Sequence, residues 1–306
     1  MSAPPAAGVR AIDPSPFRLR LERFDAPPGT GLDAVALDRR LRPFGARWNV
    51  PLAARLAKGR NSGFQFDRED SETHEWYPQG IDGDGRWLLV SWYSKKTGAA
   101  RLSVIDPEAG RYGHAGLVTA DGKPVKTHAG GIAWRGDFLY VADTKRGLRL
   151  FDLTRFAGAT LPEAGRYKPA GEPLRFSFCS VDHDAGGLLV GEYIDKAPGG
   201  RLVRWPFAPD GLLAQEQAEA AWVTGHINLQ GALAHGGQLL LARSRAGIRE
   251  GALYVSPFDE RASRRRWATG CEDLAVVGDE VVSLSEHPDL PWPLARRRAV
   301  FRASGP

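Results

Sequence analysis

Polar side chains recur at matching positions of a repeated pattern in this 306-residue chain, and these positions are the first candidates for chemistry. One set directly follows a small residue that ends an apolar run: Trp92, Asp143, Glu192, Arg243 and Glu286. The residues that come next form a second set: Tyr93, Thr144, Tyr193, Ser244 and His287. Carboxylates close to one another and to a histidine can divide general-acid and general-base work, because nearby like charges separate their pKa values. The two sets therefore predict acid–base chemistry.

Two further sets lie on the strand that precedes each apolar run. The first contains Gln79, Gly130, Cys179, Gln230 and Glu272. The second lies two residues earlier: Tyr77, His128, Ser177, Asn228 and Gly270. Residues two apart on a strand share one face, so these sets predict a polar channel that binds a small ligand. The alternative is that these side chains only satisfy neighbouring backbone groups and ordered water.

These sets give a defined group of candidate site residues. The predicted catalytic residues are Glu192, Asp143, Glu272, Glu286, His287 and His128. The predicted substrate-binding residues are Trp92, Tyr93, Tyr193, Arg243, Gln79, Gln230, Tyr77 and His226. We expect Arg243 to hold an anionic group and the aromatic residues to form a wall. Ion pairing between neighbouring repeats, such as Glu192 with Arg243, is the alternative for the charged positions.

A metal is a further possibility. Imidazoles together with Glu272 could hold a first-row metal, and carboxylates alone could hold calcium, although no local spacing in the sequence enforces either. The sequence therefore implies no cofactor firmly.

The pattern that carries these residues occurs five times at nearly constant spacing. The small residues that end the apolar runs are Ser91, Ala142, Gly191, Ala242 and Ser285, separated by 51, 49, 51 and 43 residues. A period of roughly 40 to 50 residues built from short strands is typical of a β-propeller with one sheet per repeat. The sequence therefore predicts an all-β fold with five countable blades.

The two ends of the chain must close this ring. The fifth repeat ends after its third strand, Ala299–Arg302, and we expect Phe64–Phe66 to supply the missing outer strand. Residues 61–306 are then the propeller, and residues 1–60 an extension packed on it. In the extension, Phe17–Phe24 resembles a strand, whereas 32–41 and 50–56 resemble helix. The alternative is that these residues form a degenerate sixth blade.

Composition excludes several classes of function. The net charge is +5, and the basic residues are scattered, without the continuous basic stripe and interleaved aromatics that nucleic-acid binding needs. No run approaches about 18 apolar residues, and no basic segment followed by an apolar one opens the chain. We therefore expect no membrane span and a cytoplasmic location, or a secreted one if the chain is a processed form. We also expect a monomer with two free, buried cysteines, Cys179 and Cys271.

Several motifs resemble a group of actinobacterial, often secreted, propeller proteins. The resemblance covers roughly residues 75–290 and rests on 76–80, 89–93, 128–134, 140–144, 176–178, 191–193, 230–231 and 272–274. This group implies the propeller fold and the location of the site, but brings no reaction with it. More distantly, the chain is similar to lactonase-like and strictosidine-synthase-like propellers, which implies a polar channel, often with calcium.

Two functions follow as hypotheses. The first is a small-molecule enzyme of lyase, cyclase or hydrolase type that uses the polar channel for acid–base chemistry. The alternative is a non-catalytic propeller that recognises a protein or a glycan with its rims.

Overall fold

Five antiparallel blades make up most of the regular structure of the described chain, and a short parallel pairing of Thr160–Pro162 with Gly116–Val118 joins blades 1 and 2 into one sheet. The computed structural model describes residues 8–44, 62–245, 251–257, 262–278, 280–288 and 299–304. The blades are those of a β-propeller, each with four successive antiparallel strands. The predicted fold class is confirmed, and the described chain contains five blades.

The first three blades follow one another along the chain. Blade 1 contains Trp76–Gly83, Leu88–Ser94, Ala100–Asp106 and Arg111–Val118. Blade 2 contains Ile132–Arg135, Phe138–Asp143, Gly147–Asp152 and Thr160–Pro169. Blade 3 contains Phe178–Asp182, Gly187–Gly191, Arg201–Pro206 and Ala220–Thr224.

The last two blades complete the ring. Blade 4 contains Leu229–His235, Gln238–Arg243, Gly251–Pro257 and Ser263–Trp267. Blade 5 contains Cys271–Val277, Glu280–Ser285, Ala299–Ser304 and Ser62–Gln65. The outer strand of blade 5 thus comes from the N-terminal side of the chain, where Ala299 lies opposite Gln65 and Phe301 opposite Gly63.

The hairpins formed by the first and second strands of the blades share one type of turn. Each blade has a glycine with positive φ between its first and second strands: Gly85, Gly136, Gly186, Gly236 and Gly278. Tight hairpin turns need this left-handed backbone, which glycine adopts without steric penalty. The turns lie at one mouth of the channel, so the starts of the innermost strands lie together at the opposite mouth.

The core consists of five apolar clusters, one between each pair of neighbouring blades. Between blades 5 and 1, for example, Val282 and Leu284 pack with Val90 and Trp92. Alternate residues of a strand face opposite sides of its sheet, so each blade contributes to two clusters. Cys179 and Cys271 are buried in this core as free thiols.

Residues 9–44 form a strap that runs around the outside of the ring. Val9–Ile12 pairs with blade 3, Leu19–Arg23 with blade 2, Arg39–Arg40 with blade 1, and Arg42–Phe44 with the outer strand of blade 5. The strap covers the outer edges of four blades and does not form a sheet of its own. In residues 9–44 there is therefore no sixth blade.

The prediction of a helix at residues 32–41 is wrong. Only Leu32–Ala34 forms one 3₁₀ turn, and Arg39–Arg40 is a short strand. Val35 and Leu41 are buried against different clusters, because the segment crosses blade 1 in an extended form. Backbone pairing with Arg111 and Tyr112 takes precedence over the helical pattern there. The strand expected at Phe17–Phe24 is confirmed as Leu19–Arg23, and 50–56 lies outside the described residues.

One short α-helix, Arg68–Glu72, joins the closing strand Ser62–Gln65 to blade 1. The carboxylate of Asp67 caps it by accepting from the Asp70 N–H at 3.0 Å. No helix of the described chain is long and apolar enough to cross a membrane.

Candidate functional site

The innermost strands approach one another closely below one mouth of the channel. Gly80, Gly131 and Gly231 occupy equivalent positions, and a Cβ atom on any of them would lie within 2.8 Å of backbone atoms of the next blade. Asp273 is the corresponding residue of blade 5. Its buried Oδ2 accepts from the Ile81 N–H at 3.3 Å and the Ile132 N–H at 3.2 Å. This carboxyl group therefore ties three blades together near the axis.

A polar cavity of about 300 Å³ lies at the mouth where the innermost strands begin. Its lining comes from all five blades and their connections: Gln79, Tyr93, Lys95, His128, Gly130, Thr144, Arg175, Ser177, Tyr193, Gln230, Glu272 and Glu286. The volume lies at the lower end of the range for small-molecule sites.

Both cavity carboxylates belong to blade 5. Glu272 is on its innermost strand and is buried, whereas Glu286 directly follows its second strand and is partly exposed. The Gln230 side-chain amide of blade 4 donates to Oε1 of Glu272 at 2.9 Å. The Gln79 amide of blade 1 donates to Oε2 of Glu286 at 3.1 Å. Each glutamate is thus oriented by a glutamine from a different neighbouring blade.

The surroundings of Glu272 favour its protonated form. Burial raises the pKa of Glu272 well above its usual value, and the nearby carboxylates Glu286 and Asp273 raise it further. The hydrogen bond from Gln230 acts in the opposite direction, but it is the smaller effect. Glu272 therefore keeps its proton to higher pH than an ordinary glutamate.

Cationic side chains occupy the other part of the cavity wall. Lys95 follows the second strand of blade 1, and its Nζ lies 3.4 Å from the centroid of the Tyr77 ring. Arg175 lies just before the innermost strand of blade 3, with its guanidinium carbon 5.8 Å from the centroid of the Tyr193 ring. Both line the same cavity as His128, whose side chain is exposed there. Burial lowers the pKa of His128, and the charges of Lys95 and Arg175 lower it further.

Seven predicted site residues line the cavity: Gln79, Tyr93, His128, Tyr193, Gln230, Glu272 and Glu286. Tyr93 packs against His128 with 4.2 Å between ring centroids. Burial raises the pKa of Tyr193, as do the charges of Asp195 and Glu272.

The structure places two predicted catalytic carboxylates in ion pairs within their own blades. Oε2 of Glu192 lies 2.7 Å from Nε of Arg201, and its Oε1 lies 2.8 Å from Nη2 of the same side chain. Oδ2 of Asp143 lies 2.9 Å from Nε of the buried Arg149. The alternative pairing of Glu192 with Arg243 is therefore wrong, because the partner comes from the adjacent strand of the same blade.

Three predicted substrate-binding residues do not line the cavity. Trp92 does not form part of the cavity wall: it is fully buried, and its Nε1–H donates to Oγ of Ser103 at 2.7 Å. Tyr77 is buried, and its ring packs against the ammonium group of Lys95. His226 stacks on Tyr254 with ring centroids 4.0 Å apart. Burial, together with the charge of Arg243, lowers the pKa of His226 to about 4.

The last two predicted residues are also absent from the cavity lining. Nη1 of Arg243 donates to the Tyr254 hydroxyl at 3.2 Å, so the structure does not place this guanidinium where it could hold a ligand in the cavity. The ring of His287 packs on Gly270, and its Nδ1 lies 3.8 Å from Oε1 of Glu286.

Sequence reasoning missed the two cavity cations. Arg175 lies two residues before Ser177, and Lys95 two residues after Tyr93. Side chains two residues apart on an extended chain share one face. Including the residues two positions before Ser177 and two positions after Tyr93 would therefore have identified both cations.

The described residues include no group of three or more His, Cys, Asp or Glu side chains arranged to hold a metal ion. The side chains that line the cavity carry carboxyl, imidazole, phenol, hydroxyl, amide and cationic groups.

Comparison with known protein families and with curated sequences finds no match. Among solved structures, the glutaminyl cyclase of Myxococcus xanthus is similar, with a TM-score of 0.47, 10% identity and coverage of 95% of this chain and 100% of that chain. A GH43_1 enzyme from Xanthomonas citri has a TM-score of 0.47 and 11% identity over 82% of this chain and 91% of that chain. Regucalcin from Agrobacterium tumefaciens, a calcium-binding protein, has a TM-score of 0.42 and 15% identity over 77% of this chain and 93% of that chain. These similarities are too low to carry a conclusion about substrate or reaction.

Proposed function

We propose that the protein is an enzyme that performs acid–base chemistry on a small molecule in this cavity, as a lyase, cyclase or hydrolase. The observation that carries the proposal is the pair of glutamates on blade 5 in unequal surroundings. Glu272 is buried and favours its protonated form, while Glu286 is partly exposed beside it. Two carboxyl groups in different environments can act as acid and base in one reaction.

The roles follow from these surroundings. Glu272 is the general acid, because its proton is retained to higher pH and the side chain faces the cavity. Glu286 supplies the carboxylate that accepts a proton. His128, whose lowered pKa keeps its imidazole neutral near pH 7, accepts or donates a hydrogen bond to the substrate. Tyr93 and Tyr193 form the aromatic sides of the site.

The size of the cavity favours this function over the rim-binding alternative. A volume of about 300 Å³ suits a small molecule, whereas a protein or a glycan would need an extended surface. The polar groups converge inside the cavity, where only a small molecule can meet several of them at once.

The test is a turnover screen. The purified protein is incubated with a defined panel of esters, lactones, amides, hydroxy acids and amino acids, and consumption is followed by mass spectrometry. We expect at least one compound to be consumed and Glu272→Gln to lower the rate by about 100-fold or more, since general acid catalysis typically contributes that much.

The matched control is Glu108→Gln, which removes an exposed carboxylate in a turn of blade 1 away from the cavity. It should leave the rate unchanged. A rate that survives in Glu272→Gln would contradict the assignment. Binding of panel compounds without consumption would favour a non-catalytic binding protein.

A further inference from the structure

The cavity contains two cationic groups that the acid–base roles do not use. Lys95 and Arg175 line it together with Glu272 and Glu286. The described residues contain no carboxylate paired with either cation. Exposed lysines and arginines often lie free in solvent, but these two converge on one cavity, and the charges of both act on His128.

The backbone that carries both cations is held in place by the surrounding structure, whereas both side chains are exposed. The backbone N–H of Lys95 donates to the Glu75 carbonyl at 2.8 Å, and its ammonium group lies over the Tyr77 ring. The backbone N–H of Arg175 donates to Oε1 of the buried Glu192 at 2.8 Å. The ion pair between Glu192 and Arg201 thus fixes the segment that carries Arg175.

The charge of the cavity matches a ligand with one negative charge. Lys95 and Arg175 contribute two positive charges, and Glu286 contributes one negative charge. Glu272 and His128 favour their uncharged forms near pH 7. The cavity therefore carries a net charge of about +1, which a monoanion neutralises and a dianion exceeds.

We infer that Lys95 and Arg175 form a subsite for a carboxylate group of the substrate. The planar guanidinium of Arg175 can bind a carboxylate through two parallel hydrogen bonds, and the ammonium of Lys95 adds a second charge. The inference rests on the proposed function, since it names the class of molecule on which the glutamates act: a small carboxylic acid anchored at the cations, with its reacting part toward blade 5. It assigns to Lys95 and Arg175 the role that the sequence suggested for Arg243.

The subsite can be tested without knowing the substrate. The probes are benzoate, its neutral isostere benzamide, and phenyl phosphate. Dissociation constants are measured by isothermal titration calorimetry at pH 7 and low ionic strength. We expect benzoate to bind about tenfold more tightly than benzamide, and Lys95→Met or Arg175→Met to weaken benzoate binding by about tenfold.

The control is Lys96→Met, which removes the exposed neighbouring charge and should leave benzoate binding unchanged. Equal binding of benzoate and benzamide, no benzoate binding at millimolar concentration, or unchanged binding in both cavity variants would overturn the subsite. Tighter binding of phenyl phosphate than of benzoate would overturn the assignment to a carboxylate.

Glu272→Gln separates this inference from the proposed function. Loss of binding in the lysine and arginine variants with full turnover in Glu272→Gln would support the subsite and contradict the acid–base assignment. The reverse pattern would contradict the subsite alone.

Discussion

At the scale of single residues, equivalent carboxylates of the repeat have different tasks. Glu192 and Glu286 both follow the small residue that ends the second strand of their blades, but only Glu286 lines the cavity. The Glu192 carboxylate accepts hydrogen bonds from the backbone N–H and guanidinium of Arg201 and from the backbone N–H of Arg175. We therefore interpret Glu192 as a positioning residue for the arginine subsite.

This interpretation gives a prediction for Glu192→Gln. The substitution removes the charge that faces Arg201, so the free energy of unfolding should fall by roughly 2 kcal/mol. Denaturant unfolding measures this. The matched control is Glu172→Gln, which removes the other, exposed partner of Arg201 and should change stability by less than about 0.5 kcal/mol. Equal effects of the two substitutions would contradict a structural role for Glu192.

The sequence already indicated that Glu192 forms an ion pair within its blade, whereas the choice of candidate residues did not use that indication. In blade 3, Gly191 lies opposite Leu202, which brings Glu192 beside Arg201 on the adjacent strand. In blade 2, Asp143 lies opposite Gly147, and Arg149, two residues further along that strand, reaches it diagonally. Cross-strand neighbours of opposite charge stabilise each other, so comparison of the second and third strands would have identified both ion pairs. Glu286 could be recognised only in space, because Gln79 reaches it from blade 1.

At the scale of elements, the strap and the short helix are joined to blade 1 by one buried carboxylate. Oδ1 of Asp70, on helix Arg68–Glu72, lies 2.5 Å from Nη2 of Arg101. Its Oδ2 accepts from the Tyr112 hydroxyl at 2.7 Å and lies 3.1 Å from Nε of Arg39 in the strap. Although burial acts to raise the pKa of Asp70, the hydrogen bond with His114 and the charge of Arg101 hold it below its usual value.

We predict that Asp70→Asn lowers the free energy of unfolding by roughly 3 kcal/mol, because it leaves Arg39 and Arg101 partly buried without this counter-charge. The control Glu69→Gln removes an exposed partner of Arg39 from the same helix and should cost less than about 0.5 kcal/mol. Chemical denaturation at pH 7 compares the two. A stability loss no larger in Asp70→Asn than in Glu69→Gln would show that this carboxylate does not anchor the strap.

The strap also shows where the spacing of apolar residues fails to predict secondary structure. Its apolar residues are spaced irregularly because each packs against a different blade, as Val35 and Leu41 do. Such spacing can imitate a helical period, and only the outer edge of blade 1 explains why Arg39–Arg40 is extended. The five repeats could be predicted because their period is set within each blade.

At the scale of the whole molecule, the ring brings together side chains that are far apart in sequence. The path from Gln79 to Glu286 spans nearly the whole propeller, yet these residues are hydrogen-bonded. The repeat places equivalent positions around one axis, which is why seven of the predicted residues meet in one cavity. The unequal environments of these positions come from the differences between blades, and the period alone could not predict them.

The central claim is that Glu272 keeps its proton while facing the cavity. Carbon-13 NMR of protein labelled at the glutamate carboxyl groups measures this directly, and Glu272→Gln identifies the signal. We predict that the Glu272 carboxyl titrates well above the pKa of an ordinary glutamate, because burial and the nearby Glu286 disfavour its charged form. Titration of Glu272 at or below the ordinary glutamate pKa would contradict its role as the general acid.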